Sequence, residues 1–206
     1  GIDRNSIQVI YNPVVSSKIE ELSQEDPLHP WLKQNDVPVI ISIGSLSEQK
    51  DYTTLIKAFE HVRRNKQIKL IILGEGNLRH ELQGLIAKMK LKDDIDLYGF
   101  SDNPYAFLKR ASAYVLSSKY EGFPNTLLEA LACGTPVVAT DCPSGPAEML
   151  ENGRYGHLVP VGDAEVLSGA IQDVLDEPLP AQMLIQRAAE FSLDAIIEQY
   201  RKLLFP

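Results

Sequence analysis

Six short apolar runs separated by amphipathic stretches constrain the fold of this chain more than any other feature of its sequence. The runs cover residues 37–43, 68–73, 95–98, 113–117, 136–140 and 157–159. Most of them are apolar at consecutive positions, which is typical of strands that are covered on both faces. The stretches between them have apolar residues at helical spacing, for example 51–64 behind Asp51 and 78–90 behind Asn77 as N-caps. We therefore predict an α/β fold with a Rossmann-like, doubly wound parallel sheet.

Further helices are predicted on the carboxyl side of this pattern. A short helix begins at Asn103-Pro104, because proline suits the first helical position. A helix over 125–133 ends at Gly134, a favourable residue for a left-handed C-terminal position. After Val161 the pattern is wholly helical, with a last helix near 193–204, so the sheet is followed by C-terminal helices. In such folds ligands bind at the carboxyl ends of the strands.

Composition narrows the class of protein. The chain has 206 residues, of which 44% are hydrophobic and 23% charged, so it can bury the core of one large domain. The formal net charge of -8 disfavours nucleic acid as a partner, since such binding relies on Lys and Arg neutralising phosphates. No apolar stretch approaches the roughly 18 residues of a membrane-spanning helix.

The cysteines and the first residue bear on compartment and completeness. Cys133 and Cys142 lack the spacing of a zinc or redox motif, so we expect reduced thiols in a cytoplasmic protein. The chain begins with Gly1 instead of Met and carries no signal-peptide pattern, so we expect it to be a piece of a longer protein.

Three weaker candidates for chemistry are interpreted as structural. Residues 74–79 follow a strand and open a helix, but Arg79 replaces the third glycine of a dinucleotide fingerprint, so a tight turn is expected. Asp94 and Asp96 form a DxD without further carboxylates, and we interpret them as a solvated strand entrance. The four histidines lack metal-ligand spacing, and no metal site is expected.

The strongest chemical signal lies in residues 121–129, which follow a predicted strand and lead into a helix. A helix start offers unpaired backbone N–H groups and the positive end of a dipole, and it therefore favours anions. Glu121 in the loop and Glu129 about one turn inside the helix would place carboxylates on two sides of that anion. This arrangement suggests a nucleotide with a sugar at one end and a ribose at the other. On spacing alone, two surface charges without a shared role remain the alternative.

The residues around this signal resemble the glycosyltransferases of family 4. Residues 121–141 are similar to the E-x7-E signature, including its small-residue helix, its Gly-Thr-Pro turn and the buried strand that follows. Five further segments resemble family motifs, in the family order. Residues 9–14 resemble the segment that enters the donor domain, and residues 43–51 resemble the G-R-L-x-x-Q-K-D/G loop. The L-G-x-G turn is matched by residues 73–76, the strand before the base-binding turn by 97–100, and the family's tail by 152–160. The resemblance covers roughly residues 36–175.

This resemblance implies the C-terminal, donor-binding half of a GT-B enzyme, which is built of two Rossmann-like domains. Such an enzyme would transfer a sugar from a UDP- or GDP-sugar, with retention and without a metal or other cofactor. The acceptor, a glycan or lipid-linked saccharide in polysaccharide biosynthesis, would bind through a missing N-terminal domain. The isolated fragment would then be inactive. The full-length protein would be cytoplasmic, with peripheral association at the inner face of the membrane as an option.

The resemblance also implies residue roles and domain limits. Lys50 matches the lysine that contacts the diphosphate, and Glu121 matches the carboxylate that faces the transferred sugar; these are the expected catalytic residues. Glu129 matches the carboxylate that accepts from the ribose hydroxyls. The other expected donor-binding positions lie in the first loop, the base-binding turn and the helix start: Gly44, Ser45, Phe100, Ser101, Asn125 and Thr126. The implied units are an interdomain segment (1–35), the donor-binding domain (36–190) and a C-terminal helix (191–206).

Ser45 departs from the family pattern, which usually has an arginine beside Lys50. Losing that cation removes a charge-assisted contact of order 1.5–3 kcal/mol. A catalytically weak or inactive nucleotide-sugar-binding domain is therefore an alternative. A dinucleotide-dependent oxidoreductase is another, although it would need an acidic residue about 20 positions beyond its glycines. A glycosidase that uses the same two glutamates is disfavoured, because no carbohydrate-groove signature accompanies them.

Overall fold

The computed structural model describes residues 8–33 and 37–205 and contains one parallel sheet. Its six strands are β1 Val39–Ile43, β2 Lys69–Leu73, β3 Ile95–Gly99, β4 Ala113–Leu116, β5 Val137–Thr140 and β6 His157–Val159. They are ordered β3-β2-β1-β4-β5-β6, and every neighbouring pair is parallel. The predicted Rossmann-like, doubly wound sheet is confirmed, and each strand falls on an apolar run that predicted it.

Ten helices connect and cover the strands in the described part of the chain. They are α1 Ser17–Ser23, α2 Pro30–Lys33, α3 Tyr52–Arg63, α4 Arg79–Lys88, α5 Pro104–Leu108, α6 Asn125–Ala132, α7 Pro146–Met149, α8 Ala164–Asp176, α9 Ala181–Ala189 and α10 Leu193–Leu204. None of the helices that the structure describes is long and apolar enough to cross a membrane.

The sheet separates two hydrophobic cores. Ile41 and Ile71 face one core, which is closed by α1, α5, α6 and α9. Ile40 and Ile72 face the other, which is closed by α3, α4 and α8. Because adjacent residues of a strand point to opposite faces, both faces need apolar side chains. This explains why the strands appear in the sequence as unbroken apolar runs.

Two helix starts test the predicted caps. Asp51 caps α3 as expected, since its side chain accepts a hydrogen bond from the Thr54 N–H. The cap predicted at Asn77 is wrong, because α4 begins at Arg79 with Leu78 in the cap position. The Arg79 N–H donates to the Gly76 carbonyl, so Asn77 and Leu78 lie in a tight turn, and the α-helical hydrogen bonds begin with the Leu82 N–H to the Leu78 carbonyl.

The loops after β1 and β2 lie against each other without room for side chains. Gly44 N–H donates to the Leu73 carbonyl, and Leu46 N–H donates to the Glu75 carbonyl. Gly74 has φ +147°, and a Cβ there would lie 2.0 Å from the Gly44 carbonyl oxygen. The glycines of this segment therefore serve the close approach of two backbones, which agrees with the expected tight turn.

The first described residues and the last helices meet beside the sheet. The N–H groups of Val14 and Val15 both donate to the Phe191 carbonyl, and Val15 forms a parallel bridge with Ser192. The domain limit predicted at residues 35–36 lies within 34–36, outside the described residues. Residues 1–7 and 206 of the predicted terminal units also lie outside them.

Gly74→Ala should lower the free energy of unfolding by about 2–4 kcal/mol. The added methyl group would collide with the Gly44 carbonyl, and an L-residue at this φ is strained. Urea denaturation followed by circular dichroism measures the change. Gly84→Ala is the matched control: it lies inside α4 with open space around its Cα, so alanine should stabilise by roughly 0.5–1 kcal/mol. Equal stability of Gly74→Ala and the wild type would show that the two loops can move apart.

Candidate functional site

The loops that follow β1 and β4 are joined at the carboxyl edge of the sheet. These strands are neighbours, and the strand order reverses between them. Lys119 N–H donates to the Gln49 carbonyl at 2.8 Å, and the Gln49 amide donates to the Tyr120 carbonyl at 3.0 Å. Ser117 Oγ donates to the Lys50 carbonyl at 2.7 Å. The two loops therefore form one rigid surface at the topological switch point, where doubly wound folds bind ligands.

An ion pair between Lys50 and Glu121 lies in this surface. Lys50 Nζ donates to Glu121 Oε1 at 2.7 Å, and the two side chains are only 15% and 8% exposed. Gly44 makes the position of Lys50 possible, because a Cβ at residue 44 would lie 2.6 Å from Lys50 Cε. The sequence separates the two charges by 71 positions, and the fold brings them into direct contact.

Helix α6 begins directly after the Glu121 loop. Its N-cap position is Pro124, and the cap is made without a side-chain hydrogen bond. Asn125 is exposed, but its N–H donates to the Phe123 carbonyl at 2.9 Å. The Thr126 hydroxyl is paired with the Tyr114 hydroxyl at 2.7 Å. The Asn125 N–H is thus engaged within the loop, whereas the helix start had suggested an N–H free to bind a phosphate.

Glu129 lies one turn inside α6 and is partly buried. Burial raises the pKa of the Glu129 carboxyl above its ordinary value, and a hydrogen bond from Tyr105 opposes this effect. That bond is long, at 3.4 Å between the Tyr105 hydroxyl and Glu129 Oε1. A carboxylate held here with one weak partner carries unused acceptor capacity, which hydroxyl groups of a ligand could fill.

The remaining predicted site residues lie on two exposed turns. Phe100 follows β3, where Gly99 has φ +99°, and its ring is 74% exposed. Ser101 beside it is partly exposed. Ser45 is exposed in the loop after β1, and its hydroxyl is 3.1 Å from the Ser47 hydroxyl. Among the described residues, Lys50–Glu121 is the one side-chain hydrogen bond between two predicted site residues.

Ser118 was missed by the sequence reasoning although it touches the ion pair. Its hydroxyl donates to Glu121 Oε1 at 2.6 Å, and the residue is fully buried. One signal could have found it: two serines follow an apolar strand, at the edge of the sheet where ligands are expected.

The solvated strand entrance that the sequence suggested for the DxD pair is wrong for Asp94, whereas the Asp96 side chain is 42% exposed. Asp94 is buried, with Oδ2 2.9 Å from Arg63 Nε and Oδ1 2.8 Å from Lys69 Nζ. These two cations compensate the cost of burying the carboxylate. The sequence did not indicate this burial, because the residues next to Asp94 in the chain are themselves charged. Asp96 Oδ2 lies 3.1 Å from Nε2 of the buried His29. Within residues 8–33 and 37–205, no three His, Cys, Asp or Glu side chains are grouped to hold a metal.

A groove of about 610 Å³ lies away from this surface, between α1, α9 and the start of α10. None of the predicted site residues lines it. The Lys50–Glu121 surface is the stronger candidate, because it combines shielded charges with the switch point of the sheet, whereas the groove is defined by shape alone.

Comparison with known proteins identifies the family. A family model described as "Glycosyl transferases group 1" matches residues 24–191. A Campylobacter jejuni protein is 32% identical over 177 residues, which cover 86% of this chain and 46% of that protein. It is the N-acetylgalactosamine-N,N'-diacetylbacillosaminyl-diphospho-undecaprenol 4-alpha-N-acetylgalactosaminyltransferase. The chain spans about half the length of the curated relatives it matches.

Two solved structures show the same architecture. The lipopolysaccharide outer core galactosyltransferase WaaB, in its apo form, aligns with 100% of this chain and 57% of its own, with a TM-score of 0.81 and 25% identity. The pneumococcal O-GlcNAc transferase GtfA, solved with UDP and GlcNAc, aligns with 81% of this chain and 35% of its own, with a TM-score of 0.72 and 25% identity.

Glu129→Gln should raise the melting temperature at pH 7.5, and the gain should shrink as the pH is lowered towards 4. Burial raises the pKa of Glu129 in the folded state, so folding binds protons in the window just above the ordinary glutamate value. Stability is therefore lost as the pH rises through that window, and glutamine avoids the loss. Scanning calorimetry at several pH values measures it.

The matched control for this measurement is Glu48→Gln, which makes the same chemical change at a side chain that is 82% exposed. Its melting temperature should follow the wild type at every pH. A Glu129→Gln variant that melts below the wild type at pH 7.5 would contradict the assignment of burial as the dominant effect on this carboxyl.

Proposed function

The chain belongs to the glycosyl transferases group 1 family, and we propose that it is the donor-binding half of a retaining, metal-independent glycosyltransferase. Its fold is that of the GT-B enzymes with which it aligns. The donor that we propose is a UDP- or GDP-sugar. UDP is supported by the similarity to GtfA, whose structure contains UDP and GlcNAc.

The observation that carries this proposal is the shielded Lys50–Glu121 pair at the switch point, beside the start of α6. Departure of a nucleoside diphosphate breaks the bond between the anomeric carbon and the diphosphate oxygen, and negative charge grows on that oxygen. A fixed ammonium group and a helix start aimed at it stabilise this charge without a metal. Lys50 would supply the ammonium group.

The two glutamates would then act at opposite ends of the donor. Glu121, in contact with Lys50, would face the sugar and the positive charge that develops at its anomeric carbon. Glu129, with one weak partner at 3.4 Å, would accept hydrogen bonds from the ribose hydroxyls. The exposed turn at Phe100 and Ser101 would contact the base.

The acceptor would bind to a second domain that this chain does not contain. Glycan or lipid-linked saccharide is the proposed acceptor class, supported by the diphospho-undecaprenol-linked substrate in the name of the Campylobacter relative. We propose that the whole protein works in the cytoplasm, with peripheral association at the inner face of the membrane as an option. This chain alone would bind donor and transfer almost none of it, because the second wall of the cleft excludes water and holds the acceptor in line.

An inactive nucleotide-sugar-binding domain is the second candidate, and Ser45 is the observation that favours it. The Ser45 hydroxyl pairs with Ser47 at 3.1 Å, so this position offers no cation to a diphosphate. The charge of Lys50 is also balanced by Glu121 in the structure.

Titration calorimetry with UDP tests the assignment of the two glutamates. Glu129→Gln should weaken UDP binding about 5- to 10-fold, because hydrogen bonds to a charged acceptor become bonds to a neutral one. Glu121→Gln should leave UDP affinity intact or raise it, since Lys50 is released. In the two-domain protein, Glu121→Gln should lower kcat on the order of 10²-fold.

The controls for this test separate binding from folding and from metal effects. Glu129→Gln is expected to be more stable than the wild type at pH 7.5, so weaker binding could not be assigned to unfolding. EDTA should leave UDP binding unchanged. Equal losses of UDP affinity in both glutamate variants, or binding that EDTA abolishes and Mn²⁺ restores, would sink the proposed arrangement.

Ser45→Arg should tighten UDP binding, by about 10-fold or more, because a second cation would stand beside Lys50. Ser45 is exposed in its loop, so the larger side chain has room. Ser45→Gln is the matched control, which adds length without charge and should have little effect. Unchanged or weaker binding by the arginine variant would show that this position faces away from the diphosphate.

A further inference from the structure

We propose that Ser118 is a positioning residue, which holds Glu121 in place when Lys50 turns to the diphosphate of the donor. This inference rests on the proposed function of Lys50 and Glu121. It adds a residue to which neither the sequence motifs nor the comparisons assign a role.

Within residues 8–33 and 37–205, two hydrogen bonds reach the Glu121 carboxylate, and both converge on one of its oxygens. Lys50 Nζ lies 2.7 Å from Oε1, and Ser118 Oγ lies 2.6 Å from the same atom. Oε2 is therefore the oxygen that a sugar hydroxyl or the anomeric centre would meet. Ser118 is fully buried, so its hydroxyl is shielded from bulk water.

A bound donor would weaken one of the two hydrogen bonds to Glu121 Oε1, the one from Lys50. A diphosphate competes for the ammonium group of Lys50, and any shift of that group weakens its bond to Glu121. The Glu121 side chain is only 8% exposed, so water could not replace the lost partner fully. A shielded carboxylate without a partner is costly and would rotate towards solvent or follow the lysine. The hydroxyl of Ser118 is the neutral partner that can stay.

The backbone around Ser118 is fixed from two sides. Its carbonyl accepts a hydrogen bond from Thr140 Oγ1 at 2.6 Å, which ties it to the end of β5. Ser117 donates to the Lys50 carbonyl at 2.7 Å. The Ser117-Ser118 dipeptide at the end of β4 thus holds the backbone of Lys50 with one hydroxyl and the side chain of Glu121 with the next.

Donor hydrolysis by the two-domain protein gives the first test. The probe is the sugar nucleotide that the wild type hydrolyses fastest among UDP-glucose, UDP-galactose, UDP-N-acetylglucosamine and GDP-mannose. Ser118→Ala should lower kcat about 10-fold or more, while the Kd for UDP changes less than about twofold. In a Glu121→Gln background, the same substitution should change kcat less than about twofold, because Ser118 acts through Glu121.

Ser168→Ala is the matched control for a lost buried hydroxyl. Ser168 is buried in α8 and donates to the Glu165 carbonyl at 2.7 Å, away from the ion pair. Its kcat should stay within about twofold of the wild type. A Ser118→Ala variant with unchanged kcat would overturn the inference, and so would full additivity of Ser118→Ala and Glu121→Gln.

A second test needs neither donor nor activity. In a crystal structure of Lys50→Met, Glu121 Oε1 should remain within hydrogen-bond distance of Ser118 Oγ; a Glu121 side chain turned away from Ser118 would overturn the inference. This outcome is independent of the proposed function, which would fail separately if the wild type bound no UDP and hydrolysed none of the four sugar nucleotides.

Discussion

A parallel sheet that is buried on both faces leaves polar chemistry only at its ends, and the candidate site depends on this constraint. Ile40 and Ile41 at the centre of β1 point into different cores, so neither face of this central strand has room for a charged group. Charges must sit in the loops, and the reversal of strand order between β1 and β4 opens the space where two loops meet. The Lys50–Glu121 pair lies at this meeting point. Its position follows from the topology more than from any local preference.

The site concentrates groups that cost stability in the absence of a ligand. Burial raises the pKa of Glu129, which means that its charged form is poorly solvated at neutral pH. Lys50 and Glu121 compensate each other instead of being exposed to water. Such an arrangement is preorganised, because the desolvation has already occurred when a ligand arrives.

The segment before α1 and the junction of α9 and α10 pack against the Glu121 loop. Tyr11 stacks on Phe123 with ring centroids 5.5 Å apart, and Phe191 lies 5.7 Å from Tyr11 and 6.4 Å from Phe123. The Tyr11 hydroxyl also donates to Glu148 Oε2 at 2.9 Å. Phe123 is two residues from Glu121, so the segment before α1 and the junction of α9 and α10 both buttress the loop that carries this carboxylate. Phe191 belongs to the core closed by α1, α5, α6 and α9, and Tyr11 and Phe123 pack against that core, so the aromatic contact extends it to the Glu121 loop.

The sequence predicted the elements that periodicity controls and missed the features that depend on contacts between distant segments. The strands and the cap at Asp51 follow from local patterns, because each needs only neighbouring residues. Asn77 had the right chemistry for a cap, but it lies in a tight turn, which the Leu78 N–H joins to the Leu46 carbonyl of a distant loop. Asp94 was expected to be solvated because its neighbours in sequence are charged. In the structure it is buried and pairs with Arg63 of α3 and Lys69 of β2.

The same distinction applies within the candidate site. The loop motifs marked Lys50 and Glu121 separately, but their contact at 2.7 Å is a property of strand order and could be inferred only once the sheet was known. Ser118 carried no motif that the sequence reasoning used, and its hydroxyl acquires significance only because the chain returns three residues later to place Glu121 Oε1 beside it. A residue type alone does not reveal such a role. The role of Ser118 depends on its hydrogen bond to Glu121 Oε1, the same oxygen that Lys50 contacts, and this geometry exists only in the folded chain.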